Sequence, residues 1–141
     1  MIKSMKKTSF VMMMLVMALA LAVPSVFAST GVSYVVRNAG DTANSYADAY
    51  KVGDAVVASN GTTTTVTFSG SSFIQYLQVQ DPATGTYSYA AANYTGGNVE
   101  FTFEVADFTP NQVAKIHVVV PPSPGFEGYN TVHTIQFNWS V

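Results

Sequence analysis

The sequence predicts an all-β domain, an antiparallel sandwich built after an N-terminal leader. Three observations predict it. Apolar and polar residues alternate with period two over several short runs, turn residues punctuate those runs at near-regular spacing, and helical periodicity is nearly absent after Ala28. About eight short strands in one domain of this size indicate the immunoglobulin-like class, although the Cys–Trp–Cys hallmark of true immunoglobulin domains is missing.

The elements follow in chain order. Lys3, Lys6 and Lys7 precede an apolar run from Val11 to Val23, which is followed by Pro24 and the small-residue ending Val26-Phe27-Ala28. This is the order of a secretory signal peptide, so residues 1–28 are expected to be removed. The run is 13 residues long, short of the roughly 20 that span a bilayer. Strands are then expected at Ser33–Arg37, Asp54–Ser59, Thr62–Ser69, Phe73–Gln80, Thr86–Ala91, Val99–Val105, Val113–Val120 and Val132–Trp139. Val99 to Val105 alternates most cleanly, with the odd positions apolar. Asn60-Gly61 reads as a two-residue hairpin turn, because both residues tolerate positive φ. Asn44–Lys51 breaks the pattern: it is Ala-rich, too polar for a strand and followed by Gly53, so a short helical turn is expected there.

Length and charge narrow the function. Residues 29–141 form one domain of 113 residues. Arg37, Lys51 and Lys115 stand against eight Asp and Glu residues, a net of −5 for this segment. A basic stripe for nucleic acid is absent. Cysteine is absent too, although export would permit disulfides. No Gly-rich phosphate loop follows a strand, and no HExxH or EF-hand loop occurs. Nothing in the spacing selects a Ser-His-Asp triad. His117, His133 and scattered carboxylates do not make the converging set of a zinc site. The domain is expected to bind rather than to catalyse.

That leaves Tyr129 and His133, four residues apart at the start of the last strand. From spacing alone they read first as ordinary amphipathic residues of a half-buried strand. Period two puts Tyr129, His133, Ile135, Phe137 and Trp139 on one face. Residues four apart on an extended strand are separated by about 13 Å, so contact is expected only if the chain curls at Asn130 and Thr131 after Gly128.

The segment Tyr129 to Phe137 resembles the last strand of a NEAT domain, the haem-binding module of Gram-positive surface and secreted proteins. That family carries Tyr-x-x-x-Tyr followed by alternating apolar residues, and His133 stands here at the second tyrosine. Ala114 to Pro121 is similar to the family's preceding strand, and Ser45 to Tyr50 to its Ser-x-x-x-x-Tyr on a short helix. The resemblance covers essentially all of residues 29–141. The loop from Pro121 to Gly128 looks longer than is usual for the family.

The resemblance implies ferric protoporphyrin IX haem as ligand, with Tyr129 as the axial iron ligand. His133 would donate a hydrogen bond to the phenolate, take the phenol's proton, or compete for the iron. Ile116, Val118 and Val120 would line the slot with Ile135 beside them, although the valines read equally as sandwich core. Ser45 would bond a propionate, with Tyr46 or Tyr50 stacked on the macrocycle. A single protein ligand in an open cleft suits a carrier that hands haem on. The chain ends at Val141, directly after the last strand and with no sorting signal, apolar tail or stalk. A secreted haemophore for iron acquisition is therefore expected, released or loosely held at the cell wall, with no membrane span in the mature protein. Its partners would be haem and either host haemoproteins or other NEAT-like haem carriers. The alternative is a β-sandwich that binds no haem and docks a protein or cell-wall partner.

Overall fold

The computed structural model describes residues 29–141; the expected signal peptide lies outside the described residues. Nine strands form: β1 (Thr30–Asn38), β2 (Ala55–Val57), β3 (Thr63–Ser69), β4 (Ile74–Gln80), β5 (Tyr87–Tyr89), β6 (Ala91–Thr95), β7 (Asn98–Glu104), β8 (Gln112–Val120) and β9 (Tyr129–Ser140). A 3-10 helix (Tyr46–Tyr50) lies between β1 and β2.

All pairings are antiparallel, in the order β5-β4-β8-β9-β1-β2-β3-β7-β6. The two layers of this barrel-like sandwich are joined through β1. Its first residues, Thr30 to Val32, pair with β2, and Ser33 to Asn38 pair with β9. Alternation on each strand supplies the core. Val66 and Phe68 of β3, Val99 and Phe101 of β7, Leu77 of β4 and Phe137 of β9 are fully buried. Burying each such side chain contributes about 1.5–3 kcal/mol, and this core must serve where no disulfide exists. Five aromatics close one end: Trp139 packs on Phe137 at 5.4 Å, Phe108 at 5.2 Å, Tyr34 at 5.8 Å and Phe103 at 6.5 Å between ring centroids.

Three local expectations are corrected. The expected strand Thr86–Ala91 is two strands split at Ala90: β5 extends one sheet edge and β6 the other. β6, with sequence AANYT, is exposed at every position, so it has no buried face to produce an alternating pattern. Asn60-Gly61 does not form a two-residue turn. Pairing continues only to the Ala58–Thr63 backbone bond of 2.8 Å, which leaves a four-residue loop, and Gly61 alone takes positive φ, at +78°. Asn60 acts through its side chain instead. Its Oδ1 accepts from the Thr62 and Thr63 amides at 3.0 and 2.9 Å, and its Nδ2 donates to Thr63 Oγ1 at 2.7 Å. The last strand, expected from Val132, already begins at Tyr129.

Candidate functional site

The helical turn is held against the sheet by its polar residues. Ser45 caps it, its Oγ accepting from the Ala47 amide at 3.2 Å, while the Ser45 amide donates to Val36 O at 2.8 Å. Asp48 Oδ1 accepts from the Val36 amide at 2.9 Å and pairs with Lys51 Nζ at 3.0 Å; that ammonium also donates to Tyr34 O at 2.6 Å. With Asp48 and Lys51 turned to β1, the helix presents Tyr46 and Tyr50 outward, 93% and 51% exposed. Gly70 at φ +69° brings its backbone close to Tyr50, where an added Cβ would stand 3.6 Å from the ring.

Beneath this helix lies a cleft of about 320 Å³. One wall is β8, whose alternation directs Ile116, Val118 and Val120 inward. Phe68 and Ser69 at the end of β3, Gly70, Phe73 and Ile74 form the opposite side. The wall at Ile74 is shaped by a β-bulge between Ile74 and Tyr76, which Tyr94 stitches by donating its hydroxyl hydrogen between Ile74 O at 2.8 Å and Gln75 O at 3.1 Å.

Tyr129 and His133 complete the cleft. Register explains their placement: Val120 pairs with Tyr129 and Ile116 with His133, so both rings stand beside the β8 wall. Their rings are stacked at 5.7 Å with planes 16° apart, and the Tyr129 hydroxyl is hydrogen-bonded to His133 Nε2. The expected curl at Asn130 and Thr131 is absent. Pairing with β8 is unbroken from Tyr129 to Phe137, and the two long side chains lean along the strand to meet.

Eight of the nine residues singled out from sequence therefore meet around one cleft: Ser45, Tyr46 and Tyr50 on the helix, Ile116, Val118 and Val120 on β8, and Tyr129 and His133 on β9. Ile135 does not. It is buried in the core one inward position beyond His133, with no surface on the cleft. Sequence reasoning missed Ala47, Phe68, Ser69, Gly70, Phe73 and Ile74. The glycine between two strand patterns marked a break near there, but nothing tied it to the last strand.

A second, wider hollow of about 640 Å³ lies near the Asp81 and Asp107 turns. Its carboxylates are engaged locally: Asp81 accepts from the Ala83 amide and Asp107 from the Thr109 amide, each at 2.9 Å, and Glu104 from the Thr63 hydroxyl at 2.7 Å. That bond from Thr109 holds the Asp107 carboxyl below its usual range. Among the described residues, no group of three or more His, Cys, Asp or Glu is placed to hold a bare metal ion.

The first cleft pairs an oxygen donor and its hydrogen-bond partner with broad apolar walls, and no carboxylate lines it. This chemistry fits a flat, largely apolar ligand better than a hydrated ion.

A family model described as "NEAT: Iron Transport-associated domain" matches residues 29–140. Among solved structures, the chain is similar to the NEAT5 domain of IsdX2, a B. anthracis hemophore in complex with heme. The TM-score is 0.68 at 17% identity, covering 79% of this chain and 94% of that one. A mutant of the same NEAT5 domain, also in complex with heme, gives a TM-score of 0.68 at 17% identity over 79% of this chain and 93% of its own. No curated protein sequence matches the chain.

Proposed function

The chain belongs to the NEAT family, and from that premise we propose that it binds ferric haem in the cleft beneath the 3-10 helix, with Tyr129 as the iron ligand. The observation that carries this reading is the Tyr129–His133 pair at the edge of an apolar slot. The heme complexes of the two NEAT5 structures support it by analogy.

A ferric centre is a hard Lewis acid suited to a phenolate oxygen. The chain's own residues prepare that oxygen. Hydrogen-bonded to the Tyr129 hydroxyl, His133 Nε2 would accept its proton were that oxygen to bind a metal. Once protonated at Nε2, the same nitrogen donates back to the phenolate and holds the ring in place. Ile116, Val118 and Val120 would exclude water from the macrocycle, and Tyr46 and Tyr50 would offer it their rings. Ser45 keeps its hydroxyl hydrogen for a propionate while its oxygen caps the helix.

One protein ligand in an open slot suits hand-off, and we read the protein as a carrier in iron acquisition rather than an enzyme. The leader-like segment at 1–28 supports export, and no helix among the described residues is long and apolar enough to cross a membrane. The purified protein titrated with hemin should give a saturable Soret band and the visible bands of a tyrosine-ligated ferric haem. An unchanged free-hemin spectrum would favour a haem-independent docking module.

A further inference from the structure

We propose, resting on the haem reading, that the cleft selects its ligand by the metal and the apolar plane and forms no ion pair with the ligand's carboxylate edge. Its ligand class is then ferric planar macrocycles irrespective of peripheral charge.

The cations carry the argument. Residues 29–141 contain three, Arg37, Lys51 and Lys115, and none lines the cleft. Each is engaged elsewhere. Arg37 Nε pairs with Asp41 Oδ1 at 2.9 Å, and its Nη1 donates to Asn44 Oδ1 at 2.8 Å. Lys51 is held between Asp48 and Tyr34 O. Lys115 lies over the Tyr87 ring at 4.2 Å, on the face of β8 opposite to Ile116.

Of the polar groups left at the lip, His133 is hydrogen-bonded to Tyr129, and Ser45, Ser69, Tyr46 and Tyr50 carry hydroxyls alone. Ser69 Oγ already donates to Tyr50 O at 3.2 Å. Ser45 and the tyrosine hydroxyls stand where water competes for the same bonds. A neutral hydrogen bond that replaces one to water contributes little net affinity. The wider field adds no attraction. The domain's net charge is −5, and Glu127 precedes Tyr129 by two residues. A ligand's two carboxylates gain no ion pair here and meet a mildly repulsive surface. Iron, macrocycle and apolar walls must supply the selectivity.

The test compares ferric hemin with its ferric dimethyl ester, in equal low detergent, on the full domain by visible titration. The two dissociation constants should agree within about fivefold, the most that a surface ion pair ordinarily contributes. Raising ionic strength from about 0.05 to about 0.5 M should leave hemin binding unchanged or slightly tighter, because salt screens only repulsion. Hemin binding tenfold or more tighter than the ester, or weakening severalfold with salt, would overturn this inference and leave the haem reading standing. Binding of neither compound would bring down both.

Discussion

The Tyr129 hydroxyl is hydrogen-bonded to His133 Nε2 across an unbroken strand, with the two ring planes 16° apart. A strand of regular register thus joins side chains whose backbones stand about 13 Å apart. Thr131 is the one residue between them on that face, and only a long pair could meet over it. His133, standing where the resembled strand carries a tyrosine, brings its Nε2 within reach of the phenol.

His133 is expected to act through Tyr129. His133→Ala should weaken hemin binding by about tenfold, within the range for losing a partner of a metal ligand, while the spectrum keeps its tyrosine-ligated form. His133→Tyr should retain binding. If His133→Ala abolishes binding and the wild-type spectrum is imidazole-like, the histidine is the ligand instead.

Gly128 fixes the approach of Tyr129. Its φ is +92°, and an added Cβ would stand 3.1 Å from Pro122 N and 3.2 Å from Val120 O, both backbone atoms. Gly128→Ala should destabilise the fold by about 1–3 kcal/mol and speed hemin release by displacing the next residue. Chemical denaturation and a hemin-transfer assay read the two effects. Unchanged stability and release would show that the loop adapts freely.

Ile135 and Val118 separate core from cleft. Ile135→Ala should cost about 2–5 kcal/mol of stability, with hemin affinity in the folded fraction little changed. Val118→Ala, in the partly exposed wall, should cost less stability and weaken hemin more. Denaturation and titration of both variants check the assignment, and the reverse pattern would return Ile135 to the cleft.

Tyr34 should govern alkaline stability. Its hydroxyl is buried without a hydrogen-bond partner. Burial pushes its pKa up from the ordinary 10.0, and Asp48 and Asp54 add to the rise. A raised pKa means that the folded state holds the proton more tightly. This contribution is complete below about pH 10 and is lost as pH climbs beyond it. Tyr34→Phe should be neutral or slightly stabilising at pH 7, since an unpaired buried hydroxyl costs about 1–3 kcal/mol. It should also blunt the alkaline loss of stability. A large loss at pH 7 would reveal a partner for that hydroxyl.

Much of this was legible in the sequence because half-buried strands write their faces as alternation. Val99 to Val105 gave β7 to within a residue at each end, and Tyr129 to Trp139 gave the inward face of β9. β6 could not be read, since an edge strand exposed on every residue has no face to record. Asn60-Gly61 misled because the dipeptide suits more than one loop, and the Asn60 side chain selected the longer one. On the site, the motif-bearing residues of the helix, β8 and β9 were visible. Phe68, Phe73 and Ile74 were not, for a strand pattern marks them as inward without saying that they reach the cleft, which depends on the sheet order and the bulge at Ile74. Ile135, which the resemblance put beside the slot, does not line the cleft; alternation gives a side but not the depth at which cleft becomes core.

The central claim is that Tyr129 provides the iron ligand, and its most direct measurement is the hemin titration of Tyr129→Phe beside the wild type. The ring is 39% exposed, so the variant should fold as its parent does by circular dichroism and thermal melting. It should lose the tyrosine-ligated spectrum and bind hemin at least about 100-fold more weakly, no less than the upper cost of removing a mere partner of a ligand. A Tyr129→Phe protein that keeps the parent's spectrum and affinity would contradict the account.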